Sequence, residues 1–349
     1  MSGVLNRIAG ESSLITWLQE LGLIRCERQC DVCGGRTQLK YRNGAPSSWV
    51  CRNRGHFWSA RLTSGTIFHG SQLTLGRALT VMYLFAHGIS NLNVLAFESS
   101  RGSLTPNRTI SRWLSLLRRG ISLFMVKRLS AEGKIGGRGK VVDIDETLLG
   151  WKDRQIVVAM MERGPNGCAG NLRLVPFPKS KCCRAEIVPV IRRHVLRGTT
   201  VVTSGWAAYV RLSTLGEDPL LWKMKGREHY YQHQVVTHRL DAQKNAKIHM
   251  QVCASVWRSI KHSLCSGGNR RQHLGQYLYE HIWRRNVRMN GLDPFDELVG
   301  LLAEVGDKVF KRRRVRGRGR PPCMQSKRNN TTTSGRHRAE KGGKTLKRT

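Results

Sequence analysis

The spacing of apolar and polar positions divides the chain into a short helix, a ribbon of strands, a run of helices, an α/β segment and a polar tail. "SSLITWLQELGLI" (12–24) predicts an amphipathic helix, with Ser12 or Ser13 as its N-cap and Gly22 as its stop. "TQLKYR" and "SWVCR" are strand-like and flank a Gly/Pro/Ser turn. From 73 to 125 the period becomes helical. "LTLGRALTVMYLFAHG" opens at Thr74 and stops at Gly88, and "NLNVLAFESS" follows. "LTPNRTISRWLSLLRRG" has Thr105 as its expected N-cap and Pro106 at the first helical position. "SAEGKIGGRGK" (130–140) reads as a linker and domain boundary. Beyond it "VVDIDETLLGW", "RQIVVAMME" and "LRLVPFP" are strand-like, "RAEIVPVIRRHV" is helical and "TTVVTSGWAAY" is a strand. "QVCASVWRSIKHSL" and "LGQYLYEHIWRRNV" are further helices, and the whole order predicts an α/β domain.

Five segments are therefore expected: an N-terminal helix (1–25), a ribbon (26–70), a helical module (71–129), an α/β domain (138–302) and a basic tail (303–349). From 311 onward the tail is rich in Gly, Arg and Ser, with fifteen Lys and Arg against one acid, Glu340, which predicts disorder.

Charge narrows the partners. The 349 residues carry a formal charge of +37 and a pI near 11.0, which points to a polyanion. DNA is the first expectation, RNA is a further one, and an anionic membrane surface is the alternative. No run is apolar for long enough to span a bilayer, the longest being "ALTVMYLFA" (78–86). "MSGVLNRIAG" lacks the apolar core of a signal peptide, so an intracellular protein is expected. Three helices with a basic third one resemble a helix-turn-helix, in which Arg108, Arg112, Arg118 and Arg119 would face phosphates or base edges. A plain bundle with a solvated basic face has the same pattern. In the tail, "RGRGRPP" resembles an AT-hook, with Arg316, Arg318 and Arg320 directed at a narrow minor groove. Nuclear import or nonspecific phosphate binding fits the same motif.

Ten cysteines are present, and Cys26, Cys30, Cys33 and Cys51 crowd into one region. In a reducing compartment such clustering favours a metal over disulfides. Cys30 and Cys33 form a C-x-x-C knuckle followed by Gly34-Gly35, a turn that lets backbone amides approach the sulfurs. Cys51 adds a third thiolate and His56 the best fourth ligand for a structural Zn²⁺; Cys26 or His69 could replace His56. A cysteine-rich loop without metal is the plainer alternative. Cys168 and Cys182-Cys183 show no metal spacing.

"VVDIDETLLG" (141–150) sets Asp143, Asp145 and Glu146 in an otherwise apolar strand. Burying carboxylates is unfavourable unless a metal or a base compensates them. By strand alternation Asp143 and Asp145 share one face and Glu146 points to the other.

The order of ribbon, helix-turn-helix and α/β core, the last suiting a ribonuclease-H-like (DDE integrase-type) fold, resembles the Merlin-type DDE transposases, eukaryotic relatives of a bacterial insertion-sequence family. The resemblance covers roughly residues 25–300 and rests on "IDETLLGWK", "LVPFP", "TTVVTSGWAAY", "HMQVCASVWRSIKHSL" and "YLYEHIWRRN…DPFDELV". It implies phosphoryl transfer by two divalent metals held by three carboxylates. It places the first carboxylate at Asp145. The family's Asp-Gly-Trp-x-x-Tyr pattern is met by Gly205, Trp206 and Tyr209, but its Asp position is Ser204. On the family's catalytic helix Trp257 and Lys261 match, while the Glu position is Ala254 and the Ile position Cys253. A hydroxyl is a weak ligand and a methyl group none, so Mg²⁺, expected for the family, would bind poorly here. Asp143, Glu146, Asp153 and Asp241 are the acids available to substitute. Trp206, Tyr209 and Trp257 read as core aromatics, and Arg258, Lys261 and His262 are left to grip phosphates. The expectation is a transposase-derived DNA-binding protein without catalysis, nuclear if eukaryotic, its ribonuclease-H-like domain a scaffold or dimerisation surface. An active transposase and a non-functional relic are the alternatives.

Overall fold

A computed structural model describes residues 10–314, apart from 54, 101–103, 150–153, 166–167, 178–182, 210–211, 213–229, 237–250 and 266–272. Arg316, Arg318, Arg320, the tail beyond them, Asp153, Asp241 and Cys182 lie outside the described residues.

Helix α1 (Glu11–Glu20) starts two or three residues earlier than expected, with Gly10 rather than Ser12 or Ser13 at its N-cap. Ser12 is inside the first turn, where its carbonyl accepts the Thr16 hydroxyl. Gly22 ends the turn as expected, at φ +71°. The ribbon has three antiparallel strands, β1 (Gln38–Arg42), β2 (Ala45–Cys51) and β3 (Trp58–Arg61), in that spatial order. Asn43 and Gly44, both at positive φ, make the tight turn between β1 and β2.

Thr74 caps α2 (Leu75–Ala86) as expected, its side chain accepting from the Arg77 amide, and Asn91 caps α3 (Leu92–Glu98). Helix α4 (Asn107–Glu132) departs from expectation at both ends. Its N-cap is Pro106, because Thr105 is turned inward to accept from the buried Ser99 hydroxyl. Its C-terminus takes in the first residues of the expected linker and stops at Gly133, φ +73°. Gly120 in its middle permits close packing: a Cβ there would stand 2.5 Å from Leu302 Cδ2.

The α/β segment runs β4 (Val141–Leu149), β5 (Gln155–Arg163), β6 (Ala169–Pro176), α5 (Arg184–His194), β7 (Thr200–Ser204), β8 (Gln232–Val236), α6 (Gln251–Cys265), α7 (Leu274–Met289) and α8 (Pro294–Arg314). The sheet order is β6-β5-β4-β7-β8, with β4 antiparallel to β5 and parallel to β7. This mixed α/β arrangement is consistent with a ribonuclease-H-like domain. Edge strand β8, "QHQVV", was absent from the expected elements because its polar residues carry no buried-strand pattern.

Alternate residues of β4 and β5 enter two cores. Val142, Ile144, Val158 and Met160 meet α5 and Tyr209. Val157, Ala159 and Met161 face Cys253, Trp257, Leu278 and Trp283. The second core is continuous with Leu18, Phe85, Ile121 and Leu302, so α7 and α8 share an interior with the helices before the sheet. Arg284 fastens that interior by donating to the C-terminal carbonyls of α2, Phe85 O at 2.6 Å and Ala86 O at 2.7 Å. Helix α8 continues past 303, where the tail was expected to begin.

Candidate metal centre and acidic strand

The ribbon brings Cys30, Cys33, Cys51 and His56 together, with all four ligand atoms within 4.8 Å of one another. Cys33 Sγ lies 3.7 Å from Cys51 Sγ, and Cys30 Sγ lies 3.3 Å from His56 Nε2. Zn–S bonds of about 2.3 Å imply tetrahedral edges of roughly 3.7 Å, so the residues fit a metal ion and are consistent with zinc. The knuckle works as its glycines foretold. The amides of Val32 and Gly35 reach Cys30 Sγ and Cys33 Sγ, each at 3.4 Å, and the Asn53 amide reaches Cys33 Sγ at 3.1 Å. The Gly35 amide, helped by Asn53, holds the Cys33 thiol below its ordinary range, toward the thiolate a metal needs. The alternative fourth ligands are engaged elsewhere: His69 Nδ1 accepts from the Gly65 amide, and Cys26 contacts Gln19 O. Asn53 could not have been identified by a ligand pattern, since its amide becomes relevant only once the loop folds over Cys33.

The three acids of β4 have three different environments. Asp143 is fully buried and meets Arg163 in a bidentate pair, Nε to Oδ2 at 2.8 Å and Nη2 to Oδ1 at 2.6 Å. Burial leaves its carboxyl above the usual carboxylate range, while the Arg163 guanidinium pulls it back down. Asp145, half-buried, accepts the Trp257 indole N–H at 2.9 Å. Glu146 stands on the Tyr209 side of the sheet, as alternation requires, and accepts from Tyr209 Oη at 2.7 Å and Ser204 Oγ at 3.4 Å. Burial raises its pKa above the usual carboxylate range, and Asp145 adds to the shift.

Ile144 pairs with Thr203, so one further step of that parallel register sets Ser204 beside Asp145. On α6, Cys253 is buried with its thiol 3.9 Å from Asp143 O, and burial keeps that thiol protonated. Ala254 follows it, exposed, one turn before Trp257. Where the resemblance implies three carboxylates, the structure has Asp145, Ser204 and Ala254 on neighbouring elements. Among the described residues, no set of three or more His, Cys, Asp or Glu ligand atoms converges except that of the ribbon. The residues of β4, β7 and α6 thus do not fit a three-carboxylate magnesium set.

The expected DNA-contacting arginines separate. Arg108 and Arg112 are exposed on α4 and, with Arg119, line a groove of about 490 Å³ closed by His69, His273 and Gln276. Arg118 instead turns into the α4–α7 interface, 2.7 Å from Glu280 and stacked over Tyr277 at 4.4 Å. Its periodicity marked a face of the helix but not which neighbour would cover it. Arg258, Lys261 and His262 are exposed on α6.

Residues 133–286, from just before β4 through most of α7, match the ISXO2-like transposase domain family, which supports a DDE transposase family for this part of the chain. No match was found among curated proteins. No helix among the described residues is long and apolar enough to cross a membrane.

Proposed function

We propose that the chain is a transposase-derived DNA-binding protein of the Merlin type whose phosphoryl-transfer centre has lost two of its three metal ligands. The bond from Trp257 to Asp145 carries this reading, because it holds α6 against the acid that the resemblance makes the first carboxylate, and the resemblance puts the third at position 254 of the same helix. Alanine there and serine at 204 leave one acid of the three, too few to hold two divalent ions. Zn²⁺ on Cys30, Cys33, Cys51 and His56 is structural. Affinity comes from phosphate neutralisation by Arg108, Arg112 and Arg119, by Lys261 on α6, and by Arg316, Arg318 and Arg320 of the tail. The location is the nucleus if the source is eukaryotic. The ribonuclease-H-like domain serves as scaffold or dimer surface.

One observation favours a second reading, an active transposase. Glu146 brings a carboxylate within hydrogen-bonding reach of Ser204, next to the position where the family's second acid would lie. A nicking and strand-transfer assay with Mg²⁺ and Mn²⁺ separates the two. It compares the natural protein with Asp145→Ala, Glu146→Gln and the double variant Ser204→Asp/Ala254→Glu. Cleavage only by the double variant is the expected result. Cleavage by the natural protein that Asp145→Ala and Glu146→Gln both abolish would establish the second reading instead. Binding is tested separately with Arg108→Glu/Arg112→Glu, which should weaken duplex affinity and lower the salt slope by about 2.

A further inference from the structure

We propose a second DNA-binding surface, made by Arg192 and Arg197 on the Tyr230 ring with Arg138 and Arg193 beside them, at the N-terminal end of the parallel strands. Asp145 stands at the middle of β4 and Ser204 at the C-terminal end of β7, whereas this cluster gathers at the N-terminal ends of the parallel strands β4, β7 and β8. It shares with the reading above only that the partner is DNA, and it uses none of the α4 arginines.

The backbone brings the cluster together from three places. Helix α5 ends in Arg192-Arg193-His194, and its C-cap Val195 bridges to Ile135 ahead of β4. Gly198, in the turn to β7, donates its amide to Tyr230 O at 2.9 Å. A Cβ on Gly198 would stand 3.0 Å from Arg138 Cγ, so Arg138 crosses the same spot. The guanidinium of Arg192 lies 5.2 Å from the Tyr230 ring centroid and that of Arg197 lies 5.9 Å from it. Arg138, Arg193 and Arg197 are exposed.

Neighbouring cations have acids. Arg173 pairs with Glu132 and Lys140 with Glu162. Among the described residues no carboxylate pairs with Arg192, Arg193 or Arg197, and the buried Nε of Arg192 makes no hydrogen bond. Cations in the last turn of α5 are explained by the helix dipole. That does not explain the convergence of Arg197 and Arg138 from outside the helix. The local potential is positive enough to act on His194, whose pKa burial lowers, with Arg173, Arg193 and Lys134 adding to the effect.

Like-charged guanidiniums gathered at one ring make a site that favours an anion, and their planar donors match phosphate. The aromatic contribution distinguishes duplex from single strand. Tyr230 is occupied by guanidiniums and by the edge contact of Tyr231, so it offers no open face for a base to stack on. Recognition through phosphates alone fits a duplex backbone. With the α4 groove elsewhere, one chain has surfaces for two DNA segments.

The full-length protein is titrated with a 20-base-pair duplex over a salt series, comparing Arg193→Glu/Arg197→Glu with the charge-matched control Arg25→Glu/Arg288→Glu. The first should bind about tenfold more weakly than the control at physiological salt, with a salt slope lower by about 2. Equal affinity of the two would overturn the proposal. A measurement on the natural protein covers the case of misfolding. Duplex should slow modification of Arg193 and Arg197 by an arginine-selective dicarbonyl reagent, read by peptide mapping. Unslowed modification, or slowing by single-stranded RNA or anionic vesicles but not by duplex, would also overturn it. Arg108→Glu/Arg112→Glu in the same series reports on the α4 groove independently, so either surface can fail without the other.

Discussion

Trp257 donates its indole N–H to Asp145 Oδ2 at 2.9 Å, and one turn earlier Cys253 lies against the Asp143 carbonyl. These two contacts hold α6 over β4 at one register. Both residues are buried, so that register is fixed by packing as well as by the hydrogen bond.

Trp257→Phe keeps most of the apolar contact and removes the donor. Asp145, half-buried, then loses its indole partner, and stability should fall by about 1–3 kcal/mol. Urea denaturation measures it; a loss under about 0.5 kcal/mol would mean that Asp145 is satisfied by solvent instead.

Arg163→Met leaves the Asp143 charge buried and unpaired, which should cost about 3–5 kcal/mol. Asp143→Leu/Arg163→Met removes both charges and should recover most of that loss. If the double variant is no more stable than Arg163→Met, the pair is not what binds β5 to β4 at this point.

Cys30→Ala or Cys33→Ala should lower bound zinc from one ion per chain and unfold the ribbon while leaving the α/β domain folded. Elemental analysis with circular dichroism reads both effects. Full zinc content in either variant would show that these thiolates are not ligands. Metal affinity should also fall in acid, because the ligand thiols must be deprotonated.

His281 is pushed down to about 4 by burial, with Arg285 and Arg288 adding to the shift. The unfolded chain, at about 6.5, takes up this proton first, so stability is full above pH 6.5 and is lost as pH falls toward 4. The upper bound of this single contribution is about 3 kcal/mol. His281→Gln should flatten the pH dependence of the melting temperature across that window. An unchanged profile would place the acid sensitivity elsewhere.

Much of the fold was legible because local rules held. Thr74 caps its helix, Gly22 and Gly88 follow theirs at positive φ, and the C-x-x-C-G-G knuckle turns its amides onto sulfur. These depend on a few adjacent residues. The cap of α4 was misplaced because Thr105 finds a partner in Ser99, a loop contact that helix rules do not see. Strand β8 escaped notice because an edge strand need not alternate.

The sequence by itself determined which residue types stand at each position: one acid, a serine and an alanine where the resemblance asks for three carboxylates, and three cysteines with a histidine at metal spacing. Only the tertiary structure decided how the side chains are used. Arg118 and Arg112 look alike on one basic helix, yet the first packs against Glu280 and the second lines a groove, because α7 lies directly over one side of α4 and only borders the other. Asp143, Asp145 and Glu146 are near neighbours in the chain, yet one meets a guanidinium, one an indole and one a phenol. A carboxylate takes its partner from whatever element packs on its face of the sheet, and strand alternation sends adjacent carboxylates to different faces.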